Sequence, residues 1–267
     1  MNRYQQLCDL KNRTALLTGA AGRLGRVFAD TLASLGCRLI LLDQRSEDLA
    51  ELQRKLKKKY PVPVECVLCD LEKPEERIAA VKKIEQRTKK LNILINNAAL
   101  VGSSHLRGWN VPFHQQELAA WRRALEVNVT AGFDLVQKLE PSLRRAKNGS
   151  VINVASFYGI HGPDWRIYQG TQLGNPAAYA VSKAGLIQLT RWLATTLAPH
   201  VRVNALAPGG IRAGQAAKFV KNYSSGTPLG RMGEADEVRG AFVLLASDLG
   251  RYITGQTISI DGGRGIW

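Results

Sequence analysis

An α/β fold built on one central parallel sheet of about seven strands is what this sequence predicts, and three observations carry the prediction. Short apolar runs, such as ALLTG at residues 15–19, alternate with longer amphipathic stretches along nearly the whole chain. The runs are apolar throughout, as strands are when both faces of a sheet are covered. The stretches between them are helix-length, which is the crossover that parallel strands require. Together these features describe a doubly wound, Rossmann-type three-layer sandwich, whose ligand crevice lies at the carboxyl ends of the strands.

The elements follow in order. Strand 15–19 leads to a helix over about 23–35, which Gly36 stops. Strand CRLILLD (37–43), a charged helix over 47–59 and strand VECVLCD come next. A basic helix over 74–89 precedes strand LNILINNA (91–98), and a long helix over 117–145 precedes strand SVINVAS (150–156). Asn175 reads as an N-cap and Pro176 as a first-turn residue of a further helix, which Pro199 ends. Strand VRVNALAP (201–208), a loop with a helix, and strand QTISIDG complete the chain.

Composition narrows the function. The 267 residues are 45% hydrophobic and 22% charged, as in ordinary globular proteins, and no repeat or linker divides them. One domain over 1–267 is expected. The N-terminus lacks the apolar core of a signal peptide and the longest apolar runs are strand-length, so a cytoplasmic protein with no membrane partner is expected. Cys66 and Cys69 form a CxxC, but on a strand residues three apart face opposite ways. Two buried thiols, not a metal or redox pair, are expected, in keeping with a reducing compartment. The net charge of +15 is scattered, and its two runs, KLKKK (55–59) and KKIEQRTKK (82–90), read as solvated helix faces. Nucleic acid is therefore not the expected partner, whereas an anionic small molecule or an acidic carrier protein fits the charge.

The first strand–helix turn is TGAAGRLG (18–25). Glycine there lets the backbone approach a pyrophosphate, whose charge the helix N-terminus attracts. Asp43 ends the second strand, where an acid can bind the ribose hydroxyls of NAD and repel the 2′-phosphate of NADP. Further along, NPAAYAVSKAG (175–185) sets Tyr179 and Lys183 on one helix face. A cation beside a phenol favours phenolate and makes the tyrosine a usable acid–base.

From residues 10 to 263 the chain resembles the short-chain dehydrogenase/reductase family. Thr18, Gly19 and Gly25 match its first-turn glycine motif, while Arg23 occupies the middle glycine position and Gly22 stands one place early. Leu24 belongs to the same turn. Asp70-Leu71 resembles the pair that contacts adenine, and Asn96-Asn97-Ala98-Ala99 resembles the Asn-Asn-Ala-Gly motif, with Ala99 in the glycine position. Pro208-Gly209 resembles the turn beside the nicotinamide; Ile211, Arg212 and Ala213 replace the usual threonine. The resemblance implies that Tyr179 is the acid–base and that Lys183 lowers its pKa and holds the ribose. It implies that Ser156 binds the substrate oxygen and that Asn128 holds a water in the proton path. NAD is the implied cofactor, with Arg23 and Arg45 keeping NADP open.

The segment between Ser156 and Tyr179 is longer than in most members and is expected to shape the substrate pocket, with Trp165, Arg166, Tyr168 and Gln169 facing in. The stretch 209–233 resembles the family's mobile substrate lid and brings Arg212, Lys218, Lys221 and Arg231. Both features resemble a narrower group linked to sugar modification or called gluconate 5-dehydrogenase-like, which implies a sugar or sugar-derivative substrate. The alternatives are a 3-oxoacyl-acyl-carrier-protein reductase and a silent NAD(P)-sensing module. Members usually form homotetramers or homodimers through the two long helices, here 117–145 and 176–198, and through the last strand, with Trp267 placed to pack across such an interface.

Overall fold

The computed structural model describes residues 2–101 and 104–266; Trp267 lies outside them. The strands are β1 (Thr14–Thr18), β2 (Arg38–Asp43), β3 (Val64–Leu68), β4 (Ile93–Asn96), β5 (Gly149–Val154), β6 (Val201–Pro208) and β7 (Thr257–Ile260). They form one parallel sheet in the order β3-β2-β1-β4-β5-β6-β7. The order reverses at β1, which pairs with β2 on one edge and with β4 on the other. Such a reversal opens a crevice beyond the carboxyl ends of the strands.

The helices are α1 (Arg3–Cys8), α2 (Arg23–Ser34), α3 (Ser46–Lys59), α4 (Pro74–Arg87), α5 (Leu118–Leu125), α6 (Ala131–Arg145), α7 (Ala177–Leu197), α8 (Ala217–Ser225) and α9 (Arg239–Ala246). Side chains alternate across the sheet. Ala15, Leu17, Leu39, Leu41, Ile93 and Ile95 join the core under α2, α3 and α9. Leu16, Ile40, Leu42 and Leu94 join the core under α4, α6 and α7. All ten are fully buried, which is why the strands carry no polar alternation. Phe28 of α2 meets Phe242 of α9 with ring centroids 4.4 Å apart, closing the first layer.

The two basic runs lie as expected. Lys55, Lys57, Lys58 and Lys59 face solvent on α3 while Leu52 and Leu56 face in, and Lys82, Lys83, Lys89 and Lys90 are likewise exposed. Cys66 packs against the α3 layer and Cys69 lies in the opposite one, and all four cysteines are free thiols. Burial raises the Cys69 thiol to about 12, which leaves it unreactive at neutral pH. Among the described residues no helix is long and apolar enough to cross a membrane, and no group of three or more His, Cys, Asp or Glu is placed to hold a metal.

Three details depart from the sequence reading. α1 was not anticipated; it is a short turn closed by a capping box between Asn2 and Gln5. The long helix over 117–145 is interrupted by a π turn at Glu126–Thr130, between α5 and α6. The Tyr179 helix starts one residue late: Pro176 is its N-cap, and the Ala177 N–H is satisfied by Gln116 Oε1 at 3.1 Å, not by Asn175. A cap supplied from another part of the chain leaves no local signal.

Candidate active site

The crevice is a cleft of about 770 Å³. Its floor is the first turn. Gly19 has φ +60°, and a Cβ there would lie 2.7 Å from Ala98 Cα. Gly25 lies beneath the floor, where a Cβ would come within 2.2 Å of Gly19 O; it sets the approach of α2 to β1 and does not line the cleft. Gly22 is the N-cap of α2 and offers no side chain, so the first-turn amides of α2 are free for an anion. Gly22, Arg23 and Leu24 all line the cleft.

The floor is pinned to β4. Asn97 Nδ2 donates to the Thr18 and Gly19 carbonyls at 3.0 and 2.9 Å, and Thr18 Oγ1 accepts the Asn97 and Ala98 amides at 3.0 and 3.1 Å. Asp43 is buried at the end of β2. Its carboxylate accepts the Ala21 amide at 2.9 Å and the Arg45 amide at 3.1 Å. Asp43 thus braces the glycine turn as well as presenting an acid to the cleft. The Arg45 guanidinium stands 3.5 Å from Asp43 and 2.9 Å from Asp48, also on the cleft wall.

Asp70 and Leu71 form the far wall, with Ala99 beyond the floor and Pro208, Gly209 and Ile211 on the opposite side. Behind Leu71 sits Arg77, buried, donating to the Leu71 carbonyl at 2.5 Å, to Glu126 at 2.7 Å and to Asp134 at 2.8 Å. This one side chain ties the Asp70–Leu71 corner to the π turn. Arg23 was expected to face a phosphate. Instead its guanidinium donates to the Arg212 and Ala213 carbonyls at 2.6 and 3.4 Å, bridging the cleft between α2 and the segment after β6.

At the inner end lie Ser156, Tyr179 and Lys183. Burial pushes the Tyr179 phenol above its usual value and the Ser156 bond draws it back. Lys183 is 3% exposed; its Nζ donates to the Val154 carbonyl at 2.6 Å and lies 5.9 Å from the centre of the Tyr179 ring. Burial brings the Lys183 ammonium down to about 8. Burial sets the direction for the phenol, and Ser156, not Lys183, is the group that lowers it. Asn128 sits in the π turn with its amide committed: Oδ1 accepts the Leu100 amide at 2.7 Å, and Nδ2 donates to Leu100 O at 3.1 Å and Ser182 Oγ at 2.9 Å. Its side chain fixes backbone; a water at this position would have to use the Asn128 carbonyl.

Three expected substrate residues do not reach the cleft walls. Trp165 is 58% exposed, pointing outward from a short turn at Trp165–Tyr168. Tyr168 is half-buried beside the site, its hydroxyl 2.5 Å from that of Tyr158. The Arg212 side chain faces solvent, and its backbone is what is used: the carbonyl accepts from Arg23 and the amide donates to the Gly233 carbonyl. Arg166 and Gln169 are exposed as well. Ile167 of this segment does face inward, packing on Phe219, Tyr223 and Met232. Val127 and Arg123 line the cleft and were missed, although both precede Asn128 on its helix. Arg123 is held there by Glu72 through two bonds of 2.6 and 2.8 Å.

The fold and this cleft define a nucleotide-binding α/β protein, and comparison with known proteins gives its family. Residues 19–264 match the family model described as enoyl-(acyl carrier protein) reductase. The chain is 32% identical over 261 residues to the 3-oxoacyl-(acyl-carrier-protein) reductase FabG of Thermotoga maritima, covering 95% of this chain and 98% of that one. Among solved structures it is similar to the RhlG/NADP active-site complex of Pseudomonas aeruginosa, with TM-score 0.86 and 28% identity, over 97% of this chain and 98% of that one. It is also similar to a gluconate 5-dehydrogenase from Burkholderia cenocepacia J2315 in complex with NADP and tartrate, with TM-score 0.87 and 26% identity, over 99% and 100%. The chain belongs to the short-chain dehydrogenase/reductase family and is an NAD(P)-dependent oxidoreductase.

Proposed function

We propose that the protein interconverts a secondary alcohol and a ketone of a small polar substrate, a sugar or sugar derivative, with Tyr179 as the acid–base. The observation that carries this reading is the grouping of Tyr179, Ser156 and Lys183 at the inner end of a cleft whose other end suits a dinucleotide. The residues present fit such a cofactor: Gly19 leaves room that a Cβ would fill, and the N-terminus of α2 has no side-chain cap. Gly19, Gly22 and the first turn of α2 would hold the pyrophosphate, Asp43 and the Asp70–Leu71 corner the adenosine, and Asn97, Ala98, Pro208, Gly209 and Ile211 the nicotinamide end. When bound, the cofactor supplies or takes up the hydride.

The chain's own residues handle the proton. A phenol held neutral by burial is ready to donate a proton to a ketone oxygen at neutral pH. The Ser156 hydroxyl steadies the same oxygen. The Lys183 ammonium, on the same helix face as Tyr179, offsets the negative charge that the phenol acquires after donation. Asn128 holds the Leu100 backbone and the Ser182 hydroxyl in register behind them.

Two features support the polar substrate: the likeness to gluconate 5-dehydrogenase, and the hydroxyl pair Tyr158–Tyr168 on the long segment next to Ser156. A second reading, reduction of a 3-oxoacyl group on an acidic carrier protein, is favoured by the FabG relatives, the net charge of +15 and exposed Arg212, Lys218 and Lys221. A homotetramer or homodimer paired through α5–α6 and α7 belongs to the same proposal, supported by exposed Val181 and Trp192 on α7; so does a cytoplasmic location. The test is oxidation of NADH and NADPH with keto-sugars, keto-sugar phosphates and an acetoacetyl thioester. Turnover of a sugar is the expected result. Turnover of the thioester alone would move the assignment to acyl chemistry, and tight cofactor binding with no turnover would favour a sensing role.

A further inference from the structure

The segment 157–175 joins Ser156 to the Tyr179 helix and packs against α8 outside the cleft lining, and neither belongs to the sheet. Their mutual position depends on side chains. Ile167 packs on Phe219, Tyr223 and Met232, and Asn222 Nδ2 donates weakly to the Ile167 and Gln169 carbonyls at 3.3 and 3.4 Å. A third piece of chain runs past both. After β7, Asp261 folds a tight turn by accepting the Gly263 and Gly265 amides at 2.9 and 3.1 Å, with Gly262 and Gly263 at positive φ. That turn delivers Arg264 between the two.

Arg264 is 6% exposed, which is unusual for arginine and requires every donor direction to be useful. Its guanidinium donates to the Tyr223 carbonyl on α8 at 2.7 Å and to the Asp164 carboxylate on the long segment at 3.0 Å. It also stacks over the Tyr223 ring at 4.4 Å. The Tyr223 hydroxyl in turn accepts the Gly210 amide at 2.6 Å, next to the cleft residue Gly209. At the other end, the segment is continuous with Tyr158, whose amide donates to Ser156 Oγ at 3.2 Å and whose hydroxyl bonds Tyr168.

We infer that Arg264 is a positioning residue for the substrate side of the site. One planar cation fixes α8 and the 157–175 segment in a single relative position, so that the substrate wall is built before substrate arrives. It touches no residue of the dinucleotide end directly; its link there runs through Tyr223 to the Gly210 amide beside Gly209. Its loss therefore weakens substrate capture more than cofactor capture. This rests on the proposed oxidoreductase reading, but its structural half does not depend on which substrate is turned over.

The experiment uses the full chain with Arg264→Met, Arg264→Lys and Asp164→Asn. In steady-state kinetics with the best substrate found, R264M is expected to raise the substrate KM about tenfold, with cofactor KM and kcat within about twofold. R264K keeps the charge but not the two-pronged geometry, so it should recover only part of that loss. D164N, which preserves shape, should shift KM in the same direction, and its effect should vanish in the R264M background. Hydrogen exchange on the cofactor-free protein supplies a readout independent of substrate: amides of α8 and of 164–169 should exchange faster in R264M, while those of α2 and β1 stay as in the parent. Unchanged exchange in α8, or a KM rise shared equally by cofactor and substrate, would overturn the inference. If R264M does not fold, D164N and R264K carry the same comparison. If no substrate is turned over, the functional reading falls and the exchange result still decides the role of Arg264.

Discussion

The two walls of the cleft are held by different kinds of contact. On the cofactor side each contact ends on backbone at the carboxyl ends of neighbouring strands: Gly19 against Ala98, the Asn97 side chain on the Thr18 and Gly19 carbonyls, the Asp43 carboxylate on the Ala21 amide. The parallel sheet fixes where those groups are, so a few residue types at set places suffice. On the substrate side the contacts run between side chains on three segments that no strand holds: Asp164 with Arg264, Ile167 with Phe219, Tyr158 with Tyr168. A wall of that kind can be rebuilt from many sequences, which is how one fold serves many substrates.

Tyr179 lies at the seam, and its substitution gives the largest expected effect. Tyr179→Phe removes the proton and keeps the ring, so kcat should fall about 1,000-fold. Cofactor affinity, measured by nicotinamide fluorescence titration, should stay near that of the parent. A parallel loss of affinity would mean that the phenol holds the cofactor wall together and that the two sides are not separable.

Arg77 differs from these on the cofactor side, because it bonds two other side chains as well as a carbonyl. Arg77→Met leaves the Leu71 carbonyl without its donor and takes Arg77 from Glu126, while Asp134 keeps Lys138. Losing hydrogen bonds to charged groups costs up to about 3 kcal/mol. Denaturant unfolding should register that loss, and cofactor KM should rise more than substrate KM because Leu71 lines the cleft. Equal rises would place Arg77 with the general scaffold.

Lys183 gives a smaller effect of opposite sign. Its folded pKa is lowered from 10.5 to about 8 by burial, so the folded protein penalises the cation. Below about pH 8 both states carry the proton, and folding bears the full cost of the buried charge. Between about 8 and 10.5 only the unfolded chain keeps the proton, stability rises with pH, and the cost fades. Lys183→Met should therefore stabilise the protein at neutral pH by on the order of 2 kcal/mol while abolishing turnover. The gain should shrink towards pH 10.5. No gain at neutral pH would mean that the bond to the Val154 carbonyl outweighs the burial cost.

This division also explains what could be read from sequence. The parallel sheet and the cofactor turn were legible because apolar runs of fixed length, turn glycines and an acid at a strand end each stand at a set place in the chain. Tyr179 and Lys183 were legible because helical spacing puts them together. The outer wall was not. The sequence suggested Trp165 and Arg212 as pocket residues because they are large or charged, yet Trp165 is exposed and Arg212 contributes only backbone groups. Arg264 and Arg77 carry no local signal at all, since their partners lie far along the chain. The Gln116 cap on α7 was hidden for the same reason.

The smallest effect bears on cofactor choice. Asp43 and Arg45 stand side by side on the cleft wall, one suited to a ribose diol and the other to a 2′-phosphate. Asp43 has a second duty, because its carboxylate accepts the Ala21 amide. Asp43→Ala should thus weaken both dinucleotides while shifting preference towards NADPH. Arg45 makes no such contact to the turn: its guanidinium is about half exposed and, among the described residues, meets Asp43 and Asp48. Arg45→Ala should leave NADH affinity unchanged and lower NADPH affinity about tenfold, the worth of one hydrogen bond to a charged group. Fluorescence titration of both cofactors against both variants separates the roles. If Arg45→Ala weakens NADH as much as NADPH, Arg45 acts by holding Asp43 in place, and the choice of cofactor rests on the carboxylate alone.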